Sequence, residues 1–527
     1  MRLLLIPLLV LFWVFTKAFE FDDDLLMIGD NAMWNYKDSS SSILDSDSMN
    51  EWTPISSRIS PGSRDYFNFE VNSNSTGLSS TYEMLIFLSG NICSQSTQNS
   101  SDLELKVFYS FNESVTTNPE AGNSASFVDG YMEALAIRPL TGNVNVTQYS
   151  DLFLMVEVVN STTGQEASAT DAEYFWNYTI SVSQNDLVFQ WDSRAWLEVV
   201  DTDYNTALLV TGNVTSTSTS ASNYSIYDTS LYDLFIYSYD YVDYFDNILT
   251  HSLCAVKNGP YLVSSVNSKL SGNLTSINET ELAIGKSITV RGGSVKEQFY
   301  VTGLNSSATY VAYLTKKISS DNESLSDSGG ILFSKVTFTT MIDDSCSLIF
   351  GLDFCDGVAY SVPTSSLAVN NKTQIATLYD DIAKSLYANF SNALMIIPCN
   401  AEKDATFSPL RSCNDCATAY RNWLCAVSIP RCTTSKTSYY IHREKTDNRN
   451  DYINSQIQPI SDYYEILPCI NMCYSLVVDC PPDFGFACPS ENSHSELLYL
   501  SYNVYENDLP YDTCNYVGNS NSLKILD

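Results

Sequence analysis

The sequence predicts a multidomain protein: two N-terminal β-sandwich domains, jelly-roll or fibronectin III-like, followed by a disulfide-rich, mainly helical domain. Three observations carry this. Short runs of alternating apolar and polar residues recur between Ser/Asn/Gly-rich turns through the first two thirds of the chain, the pattern of antiparallel sandwiches. Twelve of the fourteen cysteines fall from Cys346 onward. A helical period appears in that same part, where Ile375, Leu378, Ile382, Leu386 and Phe390 share one face.

Residues 1–18 are expected to be a secretory signal peptide. Arg2 precedes an apolar run from Leu3 to Phe15, and Thr16-Lys17-Ala18 supplies a small residue before the cut. The run is shorter than the roughly 20 residues that span a bilayer. Removing Arg2 and Lys17 from the 27 basic residues leaves 25 against 61 acids, a net charge of −36. Such acidity argues against nucleic acid, whose phosphates need clustered Lys and Arg, and against anionic lipid. The three histidines, His251, His442 and His494, argue against a multi-histidine metal centre. No later stretch is read as a membrane span or as the tail of a lipid-anchor signal.

Glycan acceptors and cysteines point to the same compartment. Asn-x-Ser/Thr sequons fall at Asn74, Asn99, Asn112, Asn145, Asn160, Asn177, Asn213, Asn223, Asn273, Asn278, Asn305, Asn322 and Asn371, all read as glycosylation sites. A fourteenth, Asn389, lies within the apolar arc of the predicted helix and is the least suited to a glycan. The cysteines Cys93, Cys254, Cys346, Cys355, Cys399, Cys413, Cys416, Cys425, Cys432, Cys469, Cys473, Cys480, Cys488 and Cys514 are even in number and read as disulfides, with connectivity left open.

Residues 19–52 form an acidic, Ser-rich arm or first edge strand. Residues 53–185 make the first sandwich, with strands expected at 65–71, 82–88, 103–109, 152–159 and 175–182. Residues 186–342 make the second. Its end has a Gly303-Leu304 turn, Tyr310 six residues after the Leu, and a closing strand at 331–340. These features resemble the last strands of a fibronectin type III module. The resemblance implies a tyrosine corner from Tyr310 back to the turn backbone. Residues 343–527 make the cysteine-rich helical domain.

In that last part Cys413-x2-Cys416 lacks a second pair at zinc-finger spacing, so a disulfide reading is preferred. Cys469, Cys473, Val477 and Cys480 fall on one face of a helix bounded by Pro468 and Pro481. Cysteines aligned in this way suit bridges to other elements rather than to one another. The string Trp423-Leu-Cys-Ala-Val-Ser-Ile-Pro-Arg-Cys432, then Pro468-Cys-Ile-Asn-Met-Cys473 and Cys480-Pro-Pro-Asp-Phe-Gly-Phe-Ala-Cys-Pro489, resembles a frizzled-like cysteine-rich domain. With the signal peptide, the sequons and two β-rich segments before it, the chain is similar to the fungal Mid-type stretch-activated calcium-channel component. That resemblance implies an extracellular glycosylated regulatory subunit that promotes calcium influx. Its partner would be the pore-forming subunit of a voltage-gated-type calcium channel, which would hold it at the membrane. The expected route is the secretory pathway to the extracellular face of the plasma membrane, with the endoplasmic reticulum as a second location. The alternative is a secreted cell-wall or adhesive glycoprotein binding glycan.

Catalytic motifs are missing: there is no Gly-x-Ser-x-Gly, no His-Glu-x-x-His and no Gly-x-Gly-x-x-Gly. No enzyme activity, metal or cofactor is expected. Asp201-Thr-Asp-Tyr-Asn205 begins like a calcium loop, but Thr206 and Gly212 stand where Gly and Glu are needed, so it is read as a polar turn. Asp240, Asp243 and Asp246 are read as a solvated face. All sequons precede residue 391, so the glycan-free cysteine-rich region is the expected docking surface. Arg431, Tyr463, Tyr464 and Phe484 are its expected partner-binding residues, because aromatics and Arg dominate interface hot spots. Trp423 is expected in the core.

Overall fold

A computed structural model of the chain describes residues 37–38, 47–71, 84–96, 102–138, 151–168, 174–214, 231–246, 248–269, 274, 277–291, 294–318, 329–369, 371–398, 407–408 and 410–517. The proposed signal peptide, Cys399 and the sequons at Asn74, Asn99, Asn145, Asn223, Asn273 and Asn322 lie outside these residues. The chain divides into two compact units. One comprises Met1–Trp191, Asp243–Tyr261 and Ser320–Ile331; the other comprises Asp192–Val242, Leu262–Ser319 and Leu332–Asp527.

The first unit is built on two five-stranded sheets. In one, Trp176–Ser183 lies between Ile55–Ile59 and Met84–Gln95, with Tyr131–Arg138 outside the latter. In the other, Asp151–Asn160 lies between Arg64–Glu70 and Leu103–Ser110. The five strands expected here are all present. Within the region read as an arm, Lys37–Asp38 and Asp47–Met49 add parallel edge strands, one to each sheet. Asp65, on one sheet, accepts hydrogen bonds through Oδ2 from Tyr178 and Ser57 on the other, each at 2.7 Å, so the buried carboxylate ties the two sheets together.

Register slips by one residue between Asn177/Ser94 and Tyr178/Ile92, so Cys93 is the extra residue of a bulge. Bulges re-aim side chains, and this one carries the disulfide to Cys254. Cys254 sits in the short helix Leu253–Asn258, within the later segment that joins this unit. Asn91 accepts from the Leu253 N–H at 3.0 Å, and Ser252 donates to the Ile92 carbonyl at 2.6 Å.

Asn177 departs from expectation. It lies on the central strand and is 0% exposed, with its Nδ2 donating to Ser94 Oγ at 2.8 Å. A glycan is attached at that nitrogen, and here it points into the sheet. Asn112, Asn213, Asn278, Asn305 and Asn371 are exposed and Asn160 is half-buried.

The second unit starts with a four-stranded sheet in the order Leu197–Thr202, Ala207–Thr211, Ser294–Thr302, Ala283–Arg291. A further sheet has Thr309–Lys316 between Tyr232–Ser238 and Val336–Thr339. The tyrosine corner is present. Gly303 has φ +72°, and the Asn305 N–H donates to the Tyr310 hydroxyl at 2.8 Å. Buried Lys286 joins the two sheets by donating to Asp233 at 2.9 Å.

The cysteine-rich region belongs to this same unit and is not the mainly helical fold expected. Its described helices, Lys372–Leu394, Cys413–Ser428, Ile470–Asp479 and Ser495–Ser501, hold 23, 16, 10 and 7 residues. The hairpin Cys346–Ile349/Tyr360–Pro363 precedes them, and a three-stranded sheet with Tyr463–Ile466 in the centre lies between the second and third. On the long helix the buried stripe is Ile375, Tyr379, Ala383 and Phe390. It is rotated away from the expected arc, which leaves Leu386 41% exposed and Asn389 exposed.

The Asp201–Asn205 turn is a polar turn, half-buried except at its centre. Asp203 is 0% exposed. Its Oδ1 accepts from the N–H groups of Asn205 and Thr206. Its Oδ2 accepts from the Leu348 N–H at 2.8 Å and from Lys372 Nζ at 2.6 Å. Asp201 accepts from the Ser361 N–H at 3.1 Å and from Arg431 Nε at 3.2 Å.

Two predictions follow from these buried charges. Asp203→Ala removes the nearer carboxylate of buried Lys372, leaving it the part-exposed Glu279 at 3.4 Å, and should cost about 3 kcal/mol. Denaturant unfolding with disulfides intact reads this. The double variant Asp203→Leu/Lys372→Met should lose less than the single one, because the buried ammonium goes with its carboxylate and only the Asn205, Thr206 and Leu348 N–H groups lose their acceptor. The second concerns Glu198, whose carboxyl burial pushes up to about 7, against the pull of Lys296. Its folded value lies above its ordinary one, so its contribution is complete below about pH 4.5 and is lost as pH rises through about 7. Unfolding midpoints across this window should fall with rising pH in the native chain, with a shallower slope in Glu198→Gln.

Candidate docking surface of the cysteine-rich region

The helix Cys413–Ser428 begins at a capping box, in which Ser412 and Asp415 satisfy each other's backbone N–H groups. It ends at Ile429, just before Pro430. Cys416 bonds Cys480 and Cys425 bonds Cys355. Beyond the helix, Cys432 bonds Cys346. The helix Ile470–Asp479 is anchored at both ends and near its middle, by Cys469–Cys514, Cys473–Cys488 and Cys480–Cys416. Its three sulfurs therefore reach three other segments, as their alignment predicts. Val477, expected on the same inward face, is 41% exposed. Cys413 is also disulfide-bonded.

Around the Cys416–Cys480 bridge an aromatic cluster fills the interior. Phe390 stacks on Tyr420 with ring centres 3.6 Å apart, and Phe484 and Phe486 pack beside Phe390. Trp423, expected in the core, is half-buried; its Nε1 donates to the Tyr502 hydroxyl at 2.9 Å. A cleft of 450 Å³ between this helix and Ile470–Asp479 is lined by Asp415, Asn422, Met472, Ser475, Asp479 and Tyr516. Among the described residues, no group of three or more His, Cys, Asp or Glu is placed to hold a metal ion.

The structure separates the four expected partner-binding residues. Tyr463 is only 2% exposed, and its hydroxyl donates to Asn448 Oδ1 at 2.8 Å. Burial, reinforced by the charge of Glu465, pushes that hydroxyl well above the ordinary tyrosine range. Tyr463 and Glu465 alternate inward on the central strand, where Glu465 pairs with Arg443 at 2.6 Å. Arg431 is committed as well, held between Asp201 and Asp512 at 3.2 and 2.7 Å. Burial opposes its charge, yet the two carboxylates raise its affinity for the proton above the ordinary value. These two residues hold the fold and offer little to a partner. Tyr464, edge-on to His442, and Phe484 are half-buried and keep part of their surface.

Sequence reasoning missed an exposed apolar set on the helices Ile470–Asp479 and Ser495–Ser501, including Tyr474, Val478, Leu497, Tyr499 and Leu500. The available signal was the run Leu497-Leu-Tyr-Leu500, which is apolar on every side of a helix and cannot all face inward.

Comparison with known proteins gives the chain its relatives. Residues 85–520 match a family model described as "Stretch-activated Ca2+-permeable channel component". The chain is 57% identical over 491 residues to the stretch-activated cation channel MID1 of Saccharomyces cerevisiae, covering 92% of this chain and 89% of that one. It is 35% identical over 385 residues to the stretch-activated cation channel yam8 of Schizosaccharomyces pombe, covering 71% and 72%. A match to MID1 of Cryptococcus neoformans var. grubii has 28% identity over 211 residues and covers 33% of each chain.

The bridges should rank by the loops they close. Cys416–Cys480 spans 64 residues and Cys473–Cys488 spans 15. Chain-entropy arguments give about 4 kcal/mol for the first and about 3 for the second. Paired Cys→Ser variants should be secreted in that order of severity, Cys416/Cys480 least. Equal secretion of both pairs and the parent would refute the ranking.

Proposed function

The chain belongs to the fungal Mid-type family of stretch-activated calcium-channel components, and on that premise we propose that it is an extracellular, glycosylated regulatory subunit of a voltage-gated-type calcium channel. It promotes calcium influx at the plasma membrane, reached through the secretory pathway. Family membership along most of the chain is the observation that carries this reading. The buried disulfides support an oxidising compartment. Among the described residues no helix is long and apolar enough to cross a membrane, and in this reading a pore-forming partner supplies the conducting path. The exposed sequon asparagines are the proposed glycan acceptors, and Asn177 is not among them. Residues 413–489 are a frizzled-like element by their cysteine spacing rather than their helix content.

Affinity purification of the full chain from detergent-extracted membranes should recover a polytopic protein in stoichiometric amount. Cells lacking the chain should take up less radiolabelled calcium under stretch or secretory stress. Recovery of wall glycan in place of a polytopic partner, with calcium uptake unchanged, would sink the reading in favour of an adhesive glycoprotein.

A further inference from the structure

The exposed helix pair of the cysteine-rich region has a chemistry that specifies its partner. The helix Ser495–Ser501 packs inward through Leu498, against Ile470, Cys473 and Tyr502. Everything else apolar on it faces out: Leu497 is 53%, Tyr499 63% and Leu500 54% exposed. The companion helix Ile470–Asp479 adds Tyr474 and Val478, which lie four residues apart and so share one face. Val504, just beyond the pair, is 61% exposed. Isolated apolar residues on a surface are ordinary, but a group of this size on neighbouring helices marks an interaction site.

Charge identifies what covers it. From residue 450 to residue 523 the chain holds ten Asp and Glu and no Lys or Arg; Glu465, Asp479 and Asp512 are paired with Arg443, Arg411 and Arg431 from elsewhere in the chain, and Arg449 donates to the Ser501 carbonyl. Glu491, Glu496 and Asp508 are exposed along the same stretch. Both a second copy of this surface and an anionic bilayer would be repelled by these acids. No sequon falls after residue 391, so no N-linked glycan is expected to shield the region.

We propose that the outer face of the helices Ile470–Asp479 and Ser495–Ser501 docks an extracellular segment of the channel's pore-forming subunit, one with an apolar face flanked by Lys or Arg. This rests on the function proposed above and adds the surface and the chemistry of its partner. The apolar side chains supply the desolvated centre, and the acids provide steering and register at the rim.

The test uses the full chain expressed in its own cells, with a photoreactive benzoylphenylalanine at Tyr499, at Val478, or at the exposed control position Tyr239. Crosslinks from the first two positions should map to one extracellular segment of the co-purifying polytopic protein, with apolar residues beside Lys or Arg; Tyr239 should give none there. Leu497→Asp/Leu500→Asp should lower recovery of that protein about tenfold or more while secretion is unchanged. Glu496→Lys/Asp508→Lys should slow association, with the difference shrinking as salt rises. If the aspartate variant is not secreted, the crosslinks, which leave the apolar surface in place, decide. Crosslinks to lipid, to glycan or to a second copy overturn the proposal, as does flotation of the purified chain with phosphatidylcholine vesicles at the expense of the protein partner. Undiminished recovery with both substitutions overturns the surface and leaves the channel function standing. If the parent chain itself brings down no polytopic protein, both fall.

Discussion

Asp203 is the constraint on which the second unit depends. One oxygen of this buried carboxylate closes its own hairpin turn, and the other receives the Leu348 N–H and the Lys372 ammonium. Leu348 lies in the first strand of the cysteine-rich region and Lys372 is the first residue of its longest helix. A buried carboxylate without these donors would be costly, and so would the buried ammonium without the carboxylate. The sandwich turn and the cysteine-rich region therefore satisfy each other, and neither is complete alone. Asp201 repeats the logic two residues earlier, taking the Ser361 N–H and Arg431. The hairpin that supplies Leu348 and Ser361 then packs its apolar face on the sandwich through Leu348 and Ala359, against Leu208 and Tyr300.

With those contacts in place, the disulfides fix what hydrophobic burial alone would leave loose. Cys346–Cys432 and Cys355–Cys425 tie the hairpin to the helix Cys413–Ser428 and the strand after it. The first unit uses one described bridge in the same spirit. The bulge at Cys93 turns a side chain out of the strand's regular alternation, and the bond to Cys254 attaches a segment distant in sequence. A covalent tie is needed most where the attached piece is small, and the helix Leu253–Asn258 has only six residues.

What could be read in the sequence was local. Alternation at 65–71 and 103–109 is a property of neighbouring residues, and both strands are where the pattern places them. The hydrogen bond of the tyrosine corner joins residues five positions apart, and the motif is equally legible. Asp203 was not, because its deciding partners lie 145 and 169 positions away and a polar turn looks the same whether solvated or buried. Asn177 and Tyr463 failed for one reason. Each satisfies a surface pattern, a sequon or an interface residue type, while sitting on a central strand whose burial is set by its two neighbours. The sequence names residue types, and the number of strands on either side decides which of them see water.

The same separation between fold and surface explains how the helix Ser495–Ser501 can present so much apolar area. Seven residues with one side chain packed inward are too few to hold a helix in place by burial. Its position is set instead by the segments around it. Cys488 is bonded to Cys473 before the helix, and Cys514 to Cys469 after it. Asn503, just past its end, accepts from the Ile470 N–H through its carbonyl and donates through its side chain to the carbonyls of Tyr439 and Thr513. Fixed in this way, the helix does not need Leu497, Tyr499 or Leu500 for its own stability, and in water they carry a hydration cost with no folding return. Their character answers to whatever covers them. The exposed acids Glu491, Glu496 and Asp508 beside these six apolar side chains then favour an occupant whose apolar face is flanked by cations.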